Sequence, residues 1–227
     1  MELVSNSILF ATVASIFTFI LAIIAAKVVI ERKSKILDIL FTLPMVLPPT
    51  VVGFLLLIVL GNNGIFGKVY NTLGVQILFT PIANIIAATV VSFPIMYKGA
   101  YSTFKSVDED LILVAKTLGL SEMKIFRKIT LPLSKYGLVS SLILSFSRAL
   151  GEFGATMMVS GNIKGRTQTL STAIYAAVQA GNYKQAYSLV ALVIVLSTVL
   201  MFLTIFFMEI IYHNKCNINK LIANQLC

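Results

Sequence analysis

Residues 109–132 have the sequence EDLILVAKTLGLSEMKIFRKITLP, a charged and helix-forming insert between two long apolar segments. The 227-residue chain around this insert is 58% hydrophobic and 12% charged, with a mean hydropathy of +0.93. A soluble domain of this size could not bury so much apolar surface, so the lipid bilayer must be its main solvent. Because crossing a bilayer does not require a charged insert, we interpret residues 109–132 as the place where a soluble partner binds the membrane protein.

Five apolar segments of the chain are long enough to cross the hydrocarbon core, which takes about 20 helical residues. These segments do not alternate polar and apolar residues as barrel strands do, so each is predicted to be a helix. The predicted spans are 5–29, 36–60, 81–104, 136–160 and 186–212. The connection 161–185 is too polar to span, and its apolar part predicts a short external helix or a partial re-entrant hairpin. No internal repeat is visible, so residues 1–227 are predicted to form one all-α integral membrane domain.

Basic residues predict the orientation of these helices, since cytoplasmic loops carry an excess of lysine and arginine. Thirteen basic residues lie in the connections 27–35 and 98–135 and in the C-terminal tail, whereas four lie in the other two connections. The sequence therefore predicts an extracytoplasmic N-terminus, a cytoplasmic C-terminus and a cytoplasmic loop over 105–135. The same bias accounts for the net charge of +9 better than nucleic-acid binding does, because no basic patch interleaved with aromatic residues lies outside the loops.

The insert itself predicts two short helices joined at a glycine. Apolar residues recur at helical spacing over its first half, and Glu109 and Asp110 lie in the first turn, where the helix dipole favours negative charge. Gly119 is expected to end this helix as a C′ glycine, and Ser121 to cap a second helix that runs to Pro132. From the residues alone, two interpretations stay open: a compact element projecting into the cytoplasm, or an interfacial amphipathic helix on the lipid surface.

The spacing of Ala115 and Gly119, followed by Phe126 and Pro132, resembles the EAA loop of ABC-importer permeases. The sequence departs from that loop at 113–114, where Leu-Val replaces the name-giving glutamate-alanine pair. The resemblance implies a coupling helix that seats in a cleft of a separate ATP-binding subunit. The residues expected to dock that subunit are Glu109, Asp110, Ala115, Gly119, Phe126 and Pro132.

Longer blocks are similar to the molybdate permease (ModB-type) branch of that family. They are LPMVLPPTVVGFLLL at 43–57, LGNNGIFG at 60–67 and SRALGEFGATMMVSGNIKGRTQTLSTAIY at 147–175. The resemblance implies a type I ABC importer permease fold and a role in moving molybdate across the cytoplasmic membrane. Tungstate and sulfate or thiosulfate permeases are similar along the same blocks. The resemblance also implies a homodimer, two ATP-binding subunits on the cytoplasmic side and an extracytoplasmic oxyanion-binding protein.

Prolines and an intramembrane charge pair mark the candidate translocation path. Pro44, Pro48 and Pro49 each remove a backbone donor, and irregular backbone at membrane depth is tolerated where it is buried or lines a wet cavity. Arg148 and Glu152 lie four residues apart on one helical face. Two interpretations stay open for this pair: mutual neutralisation that fixes the helix rotation, or a positive potential that Arg148 lends to an anion path. The predicted path residues are Pro48, Pro49, Ser147, Arg148 and Glu152.

No catalytic constellation competes with a transport function. The single histidine, His213, lacks partners at metal-ligand spacing, and the chain has no glycine-rich phosphate loop with a lysine. We therefore expect no catalytic residue, metal or cofactor in this chain, and ATP hydrolysis on another one. An intramembrane hydrolase would need paired acids or a histidine inside the spans. A membrane scaffold would not need the proline cluster or the charge pair.

Overall fold

The computed structural model describes residues 2–61, 64 and 76–225, with side chains described up to Phe206 and at Glu209. The similarity block at 60–67 therefore lies largely outside the described residues. Every regular element in the described part of the chain is a helix. The elements are α1 (Glu2–Arg32), α2 (Lys35–Val46), α3 (Pro49–Leu60), α4 (Pro81–Lys105), α5 (Glu109–Thr117), α6 (Glu122–Ile125), a π-helical turn (Phe126–Thr130), α7 (Leu131–Leu133), α8 (Lys135–Leu150), α9 (Gly154–Ser160), α10 (Leu170–Gln179) and α11 (Tyr183–Gln225).

Three of the described helices are individually long and apolar enough to cross a membrane: α1, α4 and the first 24 residues of α11. Two further candidates are bent pairs, α2 with α3 at 111° and the 122–133 segment with α8 at 71°. The described part of the chain thus has three spanning helices, or up to five if each bent pair crosses once. The five spans remain a prediction. The predicted spans 36–60 and 136–160 are each interrupted, the first at its prolines, where irregular backbone was expected, and the second at a break that the sequence did not predict.

The bend between α2 and α3 follows from the proline cluster. Leu47 and Pro48 each precede a proline and adopt extended backbone, with ψ of 139° at both positions. A residue before proline is pushed out of the helical region because the proline ring crowds its backbone. Pro49 then occupies the first turn of α3, where its missing N–H costs no hydrogen bond. The predicted span 36–60 is therefore two helices meeting at a sharp angle.

The predicted span 136–160 is also interrupted, at residues 151–153 between α8 and α9. No proline announces this break, which is why the sequence analysis treated the segment as one helix. A side chain stabilises the restart: the Oε1 atom of Glu152 accepts the backbone N–H of Ala155 at 2.8 Å. The connection 161–185 contains α10 as a short helix, in line with the helical alternative for that connection. A capping box between Thr169 and Thr172 begins this helix.

Close packing of small side chains holds α1, α4 and α8 together. Ala22, Ala26 and Ala100 are fully buried and lie in one cluster with Tyr97 and Met96. Small residues let helix backbones approach closely. This matters in lipid, where apolar side chains gain little by exchanging contacts with acyl chains for contacts with one another, so close packing must supply the attraction. In contrast, only 6% of the spanning window of α11 is buried. The centre of the bundle is therefore α1, α4 and α8, with α11 at its edge.

The orientation of the bundle can be tested by cysteine labelling. We expect a cysteine at Ser106, next to the insert, to resist an impermeant thiol reagent in intact cells, and one at Asn182 to react. Both positions are exposed, and the predicted orientation places them on opposite sides of the membrane. The native Cys216 and Cys227 are first replaced by serine. Labelling at position 106 together with protection at position 182 would reverse the assigned orientation.

Candidate functional site: the coupling insert and the transport path

The first helix of the insert, α5, has defined caps at both ends. The carboxylate of Asp108 accepts the N–H of Asp110 at 2.9 Å and caps its start. At the other end Gly119 has φ of +77°, its N–H donates to the carbonyl of Lys116 at 3.0 Å, and the N–H of Leu120 donates to that of Ala115 at 3.1 Å. These two bonds form a Schellman motif, in which the left-handed residue is favoured to be glycine. Gly119 therefore ends the helix in the way its sequence predicts.

An apolar face of α5 is left uncovered in the single chain. Leu111, Val114 and Leu118 recur at helical spacing and are 49%, 58% and 76% exposed. Ala115, which shares the apolar pattern, is turned inward and buried. Exposed apolar side chains on a charged surface element are typical of a protein-binding face. Exposing apolar surface to water is unfavourable, and burial against a partner would recover that free energy.

The second half of the insert is attached to the membrane helices through Phe126. Its ring packs edge-on against Phe104 of α4, with centroids 5.3 Å apart. The Nζ atom of Lys27 in α1 lies 5.1 Å from the centre of the same ring, a cation–π contact. Ile125 beside it is buried. Phe126 therefore connects the insert to both α1 and α4.

The elbow of the insert is joined by an ion pair between its two helices. The Nζ atom of Lys116 in α5 lies 2.8 Å from Oε1 of Glu122 in α6. This hydrogen bond with Lys116 holds the pKa of the exposed Glu122 carboxyl below its ordinary value. Ser121 occupies the N-cap position of α6, but its side chain makes no capping hydrogen bond, contrary to the sequence prediction.

The predicted docking residues divide into two groups. Glu109, Asp110, Gly119 and Pro132 lie on the exposed surface of the insert. Ala115 is buried, and Phe126 points towards α1 and α4. Ala115 and the half-buried Phe126 therefore pack within the chain, whereas the first group is exposed.

The charge pair predicted to border a transport path is formed as the spacing predicts. The Nη1 atom of Arg148 lies 2.7 Å from Oε2 of Glu152. The Glu152 side chain is 2% exposed and that of Arg148 is 31% exposed. The contact is an ion pair by distance, and its angle is not that of a hydrogen bond. Glu152 thus links the end of α8, through Arg148, with the start of α9, through Ala155.

The break between α8 and α9 lies against the break between α2 and α3. A Cβ atom added to Gly154, the first residue of α9, would lie 3.0 Å from Cβ of Pro49, the first residue of α3. One added to Gly53 would lie 2.8 Å from Cα of Ala155. Glycine is required at Gly53 because that second contact is with backbone that cannot move aside. The structure thus places Pro49 next to the segment that contains Glu152, whereas the hydroxyl of Ser147 donates to the carbonyl of Ile143 in its own helix at 2.8 Å.

Two polar clusters were missed by the sequence analysis. In the first, Asp38 of α2 accepts from the hydroxyl of Tyr97 and from Nζ of Lys98 in α4, both at 2.7 Å. In the second, Asn84 of α4 bonds to residues 160 and 167. The partners are about 60 residues apart or more, so no local pattern connects them. The available signal was the position of Asp38 and Asn84 within apolar segments. A buried polar side chain needs hydrogen-bond partners, so each of these residues predicts a partner elsewhere in the fold.

Comparisons with known proteins agree on one family. Residues 9–214 match the family described as "Binding-protein-dependent transport system inner membrane component". A relative from Bacillus subtilis, named for molybdenum transport, is 41% identical over 88% of this chain and 88% of its own length. The molybdenum transport system permease protein ModB of Haemophilus influenzae is 40% identical over 71% of this chain and 72% of its own. A relative from Chlorella vulgaris, named for sulfate transport, is 34% identical over 82% of this chain and 70% of its own.

The same fold occurs among solved structures. A chain of the MetNI methionine ABC transporter, in an inward-facing conformation, superimposes with a TM-score of 0.70 over 91% of this chain and 93% of its own, at 15% sequence identity. This likeness shows the fold alone, while the family match covers almost the whole described bundle. The chain therefore belongs to the family of binding-protein-dependent transport system inner membrane components.

Proposed function

We propose that the chain is the membrane-spanning subunit of an ABC importer that moves molybdate across the cytoplasmic membrane, driven by ATP hydrolysis on partner subunits. The observation that carries this proposal is the pair of relatives named for molybdenum transport, about 40% identical over most of the chain. Permeases that share so much sequence along the bundle are expected to pass similar tetrahedral oxyanions. The more distant relative named for sulfate makes sulfate the second candidate.

The proposed assembly is a homodimer with two ATP-binding subunits inside and an oxyanion-binding protein outside. A two-fold dimer is supported by the surface of α2 and α3, because α2 contains no buried residue within the described single chain. Ile36 and Val46 at its two ends are 78% and 81% exposed. An isologous interface between two copies would give such a face a partner and leave a path between them.

The insert is proposed to be the coupling element, with the predicted orientation placing it in the cytoplasm. Its uncovered leucines at 111 and 118 and its acidic first turn would seat in the ATP-binding subunit. ATP binding would close the two ATP-binding subunits and pull the two inserts together. Since Phe126 contacts both α1 and α4, this movement would reach the bundle and open the path outward, and release of ADP and phosphate would return it.

The bent segments are proposed to border the path. Pro48, Pro49 and Glu152 belong to the two helix breaks, which lie against each other, as the contact of Pro49 with Gly154 indicates. Irregular backbone at this depth suits the wall of a wet cavity between two subunits. We assign the ion pair of Arg148 and Glu152 to holding the second break in shape, and not to binding the anion.

Uptake into proteoliposomes tests the substrate. The chain is reconstituted with its ATP-binding subunit, the vesicles receive the oxyanion-binding protein and labelled molybdate, and ATP is present on the side of the ATP-binding subunit. We expect ATP-dependent accumulation that excess tungstate competes with strongly and excess sulfate weakly. Sulfate competing as well as unlabelled molybdate would favour the second candidate. No ATP-dependent uptake of any of the three would contradict the proposed function.

A further inference from the structure

The connection between α9 and α10, residues 161–169, is a folded loop with two exposed cations at its tip. Lys164 and Arg166 are exposed and flank Gly165. Among the described residues, neither cation forms an ion pair. Gly161 and Gly165 have φ of +67° and +76°, so the chain turns twice through left-handed backbone. The tip therefore presents two positive charges that are not neutralised by the rest of the described chain.

The loop is built on a buried hydrogen-bonded base. The amide of Asn84 donates to the carbonyl of Thr167 at 2.7 Å, and the hydroxyl of Ser160 donates to the Asn84 carbonyl oxygen at 3.0 Å. The hydroxyl of Thr167 donates to the carbonyl of Ser160 and accepts the N–H of Ile163, both at 3.0 Å. Asn84, Ser160 and Thr167 are all at most 2% exposed. A buried network satisfied in this way holds its members in one arrangement, so the two cations sit on a fixed frame.

The loop lies at the opposite end of the bundle from the insert. Asn84, which holds it, is in the first turn of α4, and the insert follows the last turn of the same helix. A helix of 25 residues spans about 37 Å. With the insert in the cytoplasm, the loop is on the extracytoplasmic side. Lysine and arginine are disfavoured in short loops on that side, which makes two of them on one rigid tip an exception.

We propose that the tip of this loop, Lys164 and Arg166 with the exposed Ile163 beside them, is a docking surface for an acidic patch on the extracytoplasmic binding protein. The inference rests on the proposed function and on the family's dependence on a binding protein. Charge complementarity selects an acidic partner, and Ile163, 40% exposed, supplies an apolar contact between subunits. Binding a lipid headgroup would not require the two cations to be held in a fixed arrangement. A rigid loop that carries both of them suits a protein surface of defined shape.

The test uses the complete transporter in nanodiscs of phosphatidylcholine, with ATP hydrolysis measured against the concentration of molybdate-loaded binding protein. For Lys164→Glu/Arg166→Glu we expect the concentration for half-maximal stimulation to rise about tenfold at low salt, with a smaller rise at high salt. Saturating binding protein should restore the wild-type rate. Lys184→Glu is the matched control, because Lys184 is an exposed cation on the same side, outside the loop, and should leave the half-maximal concentration unchanged.

A second pair of variants separates the frame from the charges. Thr167→Val removes both loop-fixing hydrogen bonds at nearly constant volume, while Thr167→Ser keeps the hydroxyl. We expect the valine variant to raise the half-maximal concentration with both cations still present, and the serine variant to behave as the wild type.

Four outcomes would overturn the inference. These are an unchanged half-maximal concentration in the charge-reversed variant, an equal rise in Lys184→Glu, a rise seen only in nanodiscs of anionic lipid, or a lower maximal rate with unchanged half-saturation. A rise seen only with anionic lipid would assign the cations to binding lipid headgroups. A lower maximal rate with unchanged half-saturation would assign them to the passage of the oxyanion. Failure of the binding protein to stimulate the wild-type transporter would instead contradict the proposed function itself.

Discussion

Replacing both charges in Arg148→Gln/Glu152→Gln is expected to leave far more assembled permease in the membrane than Arg148→Gln alone. In the single variant, the Glu152 side chain, 2% exposed, loses its counter-ion. Breaking a buried ion pair in this way costs roughly 3–5 kcal/mol, whereas removing both charges avoids the unpaired state. Glutamine at position 152 still offers a carbonyl oxygen to the N–H of Ala155, so the start of α9 keeps its cap.

The two single variants should differ from each other. Arg148 is 31% exposed and reaches more water or headgroup than Glu152, so Glu152→Gln should be milder than Arg148→Gln. The measurement is the amount of assembled complex in mild detergent per unit of membrane, followed by molybdate uptake per complex. We expect near-normal uptake per complex in the double variant. A double variant that assembles fully and transports poorly would give Arg148 a direct part in moving the anion.

Gly119→Val is expected to weaken docking of the ATP-binding subunit by about tenfold or more while the permease still inserts. Gly119 has φ of +77°, and among the described residues nothing lies within 4 Å of an added Cβ atom. The cost is therefore backbone strain and not a clash. A β-branched residue in this conformation costs of order 1–3 kcal/mol, and 1.4 kcal/mol corresponds to tenfold in affinity. Relief of the strain would open the Schellman motif and change the angle of the elbow.

Two controls separate docking from general strain. Asparagine tolerates left-handed backbone, so Gly119→Asn should bind close to the wild type. Gly181 has φ of +70° and is equally open among the described residues, but it lies in the connection between α10 and α11, away from the insert, so Gly181→Val should leave docking unchanged. The readouts are affinity of the ATP-binding subunit for the purified permease and transport-coupled ATP hydrolysis. Wild-type values in Gly119→Val would remove the main support for the coupling role of the insert.

Local features of the chain were predictable because their causes are local. The Schellman motif at Gly119 needs only a glycine after a helical pattern, and the break at Pro48 needs only consecutive prolines. The ion pair of Arg148 with Glu152 follows from a spacing of four across the end of a helix. In each case, the residues that determine the geometry are within a few positions of one another, so the local sequence is enough to predict the feature.

The features that were missed depend on partners brought together by the fold. The bond between Asp38 and Lys98 joins residues 60 positions apart, and that between Asn84 and the carbonyl of Thr167 joins residues 83 apart. The break at 151–153 was missed for a related reason. Glycine and glutamate alone do not predict the end of a membrane helix, and the restart at α9 lies against Pro49, which is about 100 residues away in the chain.

The peripheral position of α11 has a consequence for biosynthesis. Ribosomes deliver the helices in chain order, and the small-residue contacts that hold the bundle are made among α1, α4 and α8, which are all complete before α11 is translated. With 6% of its spanning window buried, α11 adds little to that core when it arrives. The first helices can therefore close their mutual contacts while the chain is still being extended, and the last one joins a core that is already formed.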